Sequence, residues 1–145
     1  MRRSIMIIGL FTLSSCASIP DTPDELISST KIEQTKCYPR NYKEVSEKVK
    51  QFLKQCYRTE TVLIPINGIP MPMTSKYQVI EEQGENRNRY SVRSQYGFGI
   101  SVDIKPSINN CESQVSMYAL RSHLREKFDR IDAAINGENP DCGII

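Results

Sequence analysis

The 145-residue chain has no tryptophan and a single histidine, His123. With one imidazole and no nucleophile motif, a Ser-His-Asp arrangement would have to recruit His123 from the flank of a helix, so His123 reads as an exposed surface residue. No two cysteines stand in C-x-x-C spacing and no Cys/His cluster occurs, which argues against a structural zinc site and against dithiol redox chemistry. No Gly-rich loop lies between a strand and a helix, the setting a phosphate cradle requires; Gly97-Phe98-Gly99 falls inside a strand pattern. The carboxylates Glu81-Glu82 and Asp129/Asp132 read as solvated faces. There is no low-complexity tract or internal repeat. These patterns assign no catalytic residue, no metal site and no cofactor, and the chain reads as not an enzyme.

Long apolar runs are missing too. Residues 5–13 make an h-region of about nine residues behind Arg2 and Arg3, and a membrane-spanning helix needs roughly 20. The run fits a secretory signal peptide. It ends in Leu13-Ser14-Ser15-Cys16, which resembles the lipobox of bacterial lipoproteins; the resemblance covers residues 1–16. It implies that residues 1–15 are removed and that Cys16 carries a thioether-linked diacylglycerol and becomes the acylated, palmitate-bearing N-terminus. In Gram-negative lipoproteins an Asp after that cysteine retains the protein at the inner membrane. Ala17 stands here, which implies transport to the outer membrane, lipid-anchored and facing the periplasm. Two or three acyl chains make a stable anchor where one would be marginal.

A charge excess is the next absence. The chain has 19 Lys+Arg and 17 Asp+Glu, and losing Arg2 and Arg3 leaves 17 of each sign. A nucleic-acid binder would carry a basic excess, so no nucleic-acid partner is expected. Four cysteines remain after Cys16: Cys37, Cys56, Cys111 and Cys142. An even number in a small exported domain reads as a disulfide framework.

Residues 16–36, with two prolines and several Ser/Thr, read as the lipidated N-terminus and a flexible tether with an r.m.s. span on the order of 25 Å. Residues 37–145 read as one globular periplasmic domain. Its first helix covers 41–57, capped by Asn41 with Glu44 three residues on, in the manner of a capping box. The period then changes to two. A strand over 60–66 ends in the turn Asn67-Gly68, residues 69–73 form an extended apolar loop, and a second strand covers 74–83. From Tyr90 to Ile104 every even position except Ser94 is apolar. Because the phase never slips, this reads as one long strand in which Gly97 and Gly99 mark a bend or bulge. A second helix covers 112–136, with Gly137 at its end. The expected fold is α+β, a small α-β-β-β-α domain: an antiparallel three-stranded sheet with two helices packed on one face and two disulfides.

A helix of about 25 residues is roughly 37 Å long, and the tail behind it returns at most about 20 Å, which excludes Cys111–Cys142. If the long strand is continuous, the helices are parallel and the pairs are Cys37–Cys111 and Cys56–Cys142. If the chain reverses near Gly97–Gly99, the pairs become Cys56–Cys111 and Cys37–Cys142. Two surface features stand out as contacts. Arg89 and Arg93, on the polar face of the third strand, suit an anionic envelope component, or are ordinary solubilising charges. Met71 and Met73 suit an adaptable protein contact, or fold over the core. The function read from this is an outer-membrane-anchored, non-enzymatic binding or structural subunit with an envelope protein partner, an accessory of an assembly or secretion complex. The alternative is an inhibitor or exclusion lipoprotein that blocks a hydrolase, phage or plasmid entry.

Overall fold

A computed structural model describes residues 19–107 and 111–143. In it, helix α1 (Pro23–Ser29) and strand β1 (Ile32–Tyr38) precede the long helix α2 (Tyr42–Cys56). Strands β2 (Glu60–Ile66), β3 (Ile69–Ser75), β4 (Tyr77–Gln83), β5 (Asn88–Ser94), β6 (Gly97–Pro106) and β7 (Ser113–Ala119) follow, then a 3-10 turn (Ser122–Arg125) and helix α3 (Glu126–Ile135). Five strands form one antiparallel sheet in the order β1-β7-β6-β5-β4, while β2 and β3 form a separate two-stranded hairpin. The α+β class stands, but among the described residues three helices, a five-stranded sheet and a hairpin replace the expected three-stranded sheet with two helices.

Three segments account for the difference. The segment expected as a tether holds α1 and β1. The Thr22 side chain caps α1 by accepting from the Glu25 amide, Pro23 opens the helix, and of its two large apolar residues, Leu26 and Ile27, Leu26 is fully buried. β1 is an edge strand that pairs with β7. Its core-facing positions include Gln34 and Lys36, so it lacks the apolar alternation of a central strand.

The expected long strand is two strands. β5 and β6 are joined by a two-residue turn, with Ser94 opposite Gly97 and Arg93 opposite Phe98; then the register shifts and Val92 lies opposite Ile100. Gly99 is the extra residue of a β-bulge. The turn alone would set even positions of β5 against odd positions of β6. The bulge restores even against even, so Tyr90 and Val92 share a face with Ile100, Val102 and Ile104. Turn and bulge cancel in the sequence, and the alternation runs through both.

The expected helix over 112–136 is a strand followed by a short helix. Ser113, Val115, Met117 and Ala119 are buried at every second position of β7, and α3 occupies only the last ten residues. α2 matches its expected span. The Asn41 side chain caps it by accepting from the Lys43 amide, but Glu44 pairs with Arg40 and Lys48 rather than closing a capping box.

The main core lies between one face of the sheet and the two longer helices. Val45, Val49, Phe52 and Leu53 of α2 and Phe128, Ile131 and Ile135 of α3 meet Tyr90, Val92, Ile100, Val102, Ile104, Val115 and Met117. α2 and α3 are antiparallel, and Arg40 at the start of α2 donates to the Asn136 carbonyl at the end of α3. α1 covers the opposite face, against β6 and β7.

The disulfides join Cys37 to Cys111 and Cys56 to Cys142. These are the pairs expected for parallel helices, yet the helices are antiparallel. The extra strand β7 leaves Cys111 beside the end of β1. At ten residues, about 15 Å, α3 is short enough for the tail to run back along it to Cys56.

Candidate functional site

One end of the domain gathers most of what is chemically unusual on its surface. β4 begins there, with Tyr77 opposite Ser94, as do the turn from β5 to β6 and the C-terminus of α2. The hairpin β2–β3 springs from this pole between Tyr57 and Tyr77. Among the described residues, its strands pack extensively only against each other.

The hairpin follows directly from its sequence. Asn67 and Gly68 both take positive φ, 52° and 80°, as a type I′ turn requires. The register sets Val62 opposite Met73, Ile64 opposite Met71 and Ile66 opposite Ile69 on one face, and Thr61 opposite Thr74, Leu63 opposite Pro72 and Pro65 opposite Pro70 on the other. The Thr61 and Thr74 hydroxyls are 2.9 Å apart and hydrogen-bonded. Residues expected as an apolar loop, 69–73, thus form a strand. The large side chains are open to solvent: Val62 is 48% exposed, Leu63 67%, Ile69 64%, Met71 49% and Met73 52%. No charged residue occurs from 61 to 75. A continuous exposed apolar patch of this kind marks an interaction surface, and an isolated hairpin is marginal in water by itself.

The prolines occupy particular places. A two-residue loop closes on a hydrogen-bonded pair, here Ile66–Ile69, and such pairs alternate with non-hydrogen-bonded ones. Pro65, Pro70 and Pro72 therefore sit where the N–H would point away from the partner strand. They leave the internal ladder intact and remove outward donors from both edges.

The base of the hairpin is tied to the body by aromatic contact. The Tyr57 and Tyr77 rings pack edge to face, with centroids 5.7 Å apart. Burial raises both phenols above the ordinary tyrosine range, so both stay neutral. The two rings line a cavity of about 280 Å³ together with Ile19, Phe98, Leu124 and the rim residue His123. His123 is exposed. Tyr96, in the turn beside the cavity, is 69% exposed.

The N-terminal segment is fastened at the same pole. The Phe98 amide donates to the Pro20 carbonyl at 2.9 Å. Gly97 has φ +136°, and a Cβ there would lie 2.5 Å from the Pro20 oxygen and 2.7 Å from Ile19 Cγ2. Only glycine admits that approach.

The residues singled out in the sequence fall in different places. Met71 and Met73 share one face of the hairpin. Arg93 is exposed near the pole, with its guanidinium 5.8 Å from the Phe98 ring centroid. Arg89 is 3% exposed and occupied internally. Its Nε and Nη2 donate to the two Asp103 carboxylate oxygens at 2.6 and 3.1 Å, and its Nη1 donates to Asp24 Oδ1 of α1 at 2.6 Å and to Glu82 Oε2 at 3.4 Å. Asp103 and then Asp24 hold the guanidinium firmly charged. This network fixes α1 to the sheet, so Arg89 is a structural residue. Cys16 lies outside the described residues. Cys37–Cys111 closes the far end of the sheet, and Cys56–Cys142 lies near the pole.

The signal that sequence reasoning missed was available. The Asn-Gly turn is plain, and the apolar residues beyond it mirror those before it, but three prolines disguise the strands. Among the described residues no group of three His, Cys, Asp or Glu side chains could hold a metal ion, and no helix is long and apolar enough to cross a membrane. No protein-family model matches the chain, and no curated protein matches its sequence.

Proposed function

We propose that this chain is a lipid-anchored, non-enzymatic binding or structural subunit of a bacterial envelope, fixed at Cys16 to the periplasmic face of the outer membrane and using hairpin β2–β3 as its contact element. The lipobox supports the anchor. The observation that supports the contact role is the hairpin: an uncharged stretch from 61 to 75 whose strands, among the described residues, pack extensively only against each other, held out from a disulfide-stapled body. Water does not favour such a surface, so a role in which it is covered is the economical one. An anchor raises the local concentration of whatever the hairpin meets, so a modest contact suffices.

The test has two arms, both in cells producing the full chain. A palmitate analogue labels the wild-type protein and not Cys16→Ala; label retained by the variant removes the anchor. A photo-crosslinking amino acid at position 71 captures an envelope component, while the same group at position 43, exposed on α2, captures none. Equal capture at both positions, or none at either, would overturn the contact role.

A further inference from the structure

The pole that carries the hairpin is also where the chain leaves toward its anchor. Ile19 and Pro20 are seated on Gly97, and Cys16 precedes Ile19 by three residues. Three residues span at most about 11 Å. Whatever the path of those residues, the acylated Cys16 stays within that distance of the pole. The 20-residue tether that would hold the domain clear of the headgroups is absent, because α1 and β1 consume it. With its acyl chains inserted, the chain therefore sets this pole against the bilayer.

The hairpin has the anatomy of an interfacial element. Its apolar length is uncharged, and it is flanked at the base by exposed Arg58 and Lys76, Arg58 being paired with Glu60 at 2.6 Å, with half-buried Tyr77 beside them and Tyr96 exposed in the neighbouring turn. Apolar surface edged by aromatic rings and cations is the pattern found at membrane–water interfaces. Seven-residue strands extend about 23 Å, but open strand edges cannot enter hydrocarbon because their amides would go unpaired. That limits the hairpin to the headgroup–acyl boundary. Of the six outward-facing amide positions (61, 63, 65, 70, 72 and 74), three are proline, which lowers the cost of even that shallow burial. The same prolines weaken both edges as templates for an added strand, β3 with Pro70 and Pro72 more than β2 with Pro65, which disfavours extension of this ribbon by a second copy or a peptide strand. It is left to act by its faces.

We propose that hairpin β2–β3 is a second membrane contact of this protein, lying along the same leaflet that holds the acyl chains of Cys16, with the row Val62, Ile64, Ile66, Ile69, Met71 and Met73 turned to the lipid. This deepens the function proposed above and rests on its reading of Cys16. The domain is then held by two points and fixed in orientation, its far end, with Cys37–Cys111, directed away from the membrane.

The absence of tryptophan supplies the experiment. Met71→Trp is made in the full chain, purified, and reconstituted into vesicles of phosphatidylethanolamine and phosphatidylglycerol, some with brominated acyl chains. Mass analysis of the N-terminal peptide reports acylation independently. The expected result is emission shifted to the blue and quenched by the brominated lipid, while Lys43→Trp on α2 is not quenched. If the acylated protein gives aqueous emission that iodide quenches, the hairpin contact is refuted and the anchor survives. If the indole at position 71 is shielded from iodide only in native envelopes and never quenched by brominated lipid, the occupant is a protein and the proposal fails. If the peptide carries no lipid, quenching shows that the hairpin binds membrane without the anchor, and its absence removes both readings.

Discussion

Tyr57 and Tyr77 meet edge to face with 5.7 Å between ring centroids, and the entire hairpin β2–β3 lies between them in the chain. The contact closes the base of the hairpin and seals it to the main core, in which Tyr57 is 6% exposed. Body and hairpin are thereby mechanically separable: one is packed, the other is an appendage held by its root.

The separation has a measurable consequence. Replacing residues 61–74 with a short Gly-Ser link removes no core contact and changes unfolding stability by less than about 1 kcal/mol, as surface changes do. Tyr77→Ala, which opens the root, destabilises by about 1–3 kcal/mol, the scale of a partly buried aromatic. Urea denaturation compares the two. If the excision proves costlier than the point substitution, the hairpin packs on the body.

Leu26 is fully buried beneath α1, in a segment whose composition reads as a linker. Leu26→Ala should cost about 2–5 kcal/mol and expose α1 to limited proteolysis. An unchanged melting temperature would mean that residues 23–29 are not part of the fold.

Acid should weaken the seam between β1 and α3. Burial pushes the Asp132 carboxyl up, but hydrogen bonds from Lys36 at 2.7 Å and the Tyr38 hydroxyl at 2.6 Å outweigh it and hold the group below the ordinary aspartate value of 3.8. A folded-state value below the unfolded one adds stability that is complete above the unfolded value and disappears as pH falls through the folded one. Asp24, drawn down by Arg89, and Glu81, drawn down by Lys54 and Lys50 against burial, act in the same direction. Stability therefore declines from about pH 5 downward. In Asp132→Asn the decline is shallower, and the two proteins converge at low pH. Parallel curves across the range would exclude Asp132 from the acid limb.

The Cys56–Cys142 bridge ties residues 86 apart and holds the C-terminal tail along α3, where Lys127 donates to the Cys142 carbonyl. Cys56→Ala with Cys142→Ala should cost about 2–4 kcal/mol. Tail residues should then exchange amide hydrogens faster, while β6 keeps its protection. Uniform loss of protection would place this bridge at the centre of the fold rather than at its margin.

What could be read from the sequence divides along physical lines. α2 was legible because its stripe, Val45, Val49, Phe52, Leu53 and Cys56, and its cap Asn41 agree. β1 was not, because an edge strand can turn the stems of Gln34 and Lys36 to the core and show little hydrophobic alternation. β7 was hidden by Met117 and Leu120, which continue the stripe of α3 backward by coincidence of spacing. The exposed Met71 and Met73 were found, but the strand that carries them was concealed by proline. Arg89 looked like a surface cation because alternation placed it on the polar face, and only the fold supplies α1 to cover that face.

The bulge at Gly99 also sets a rule for how this region tolerates deletions. Gly99 has no partner in the ladder: Arg93 lies opposite Phe98 and Val92 opposite Ile100. Removing Gly99 would close the bulge and leave Ile100, Val102 and Ile104 on the core face, at the expense of the local twist. Removing Phe98 as well, with the turn held, would set Ile100 opposite Arg93 and send Ile100, Val102 and Ile104 outward beneath α1. The strand thus carries one residue in reserve, and the second deletion, not the first, inverts it.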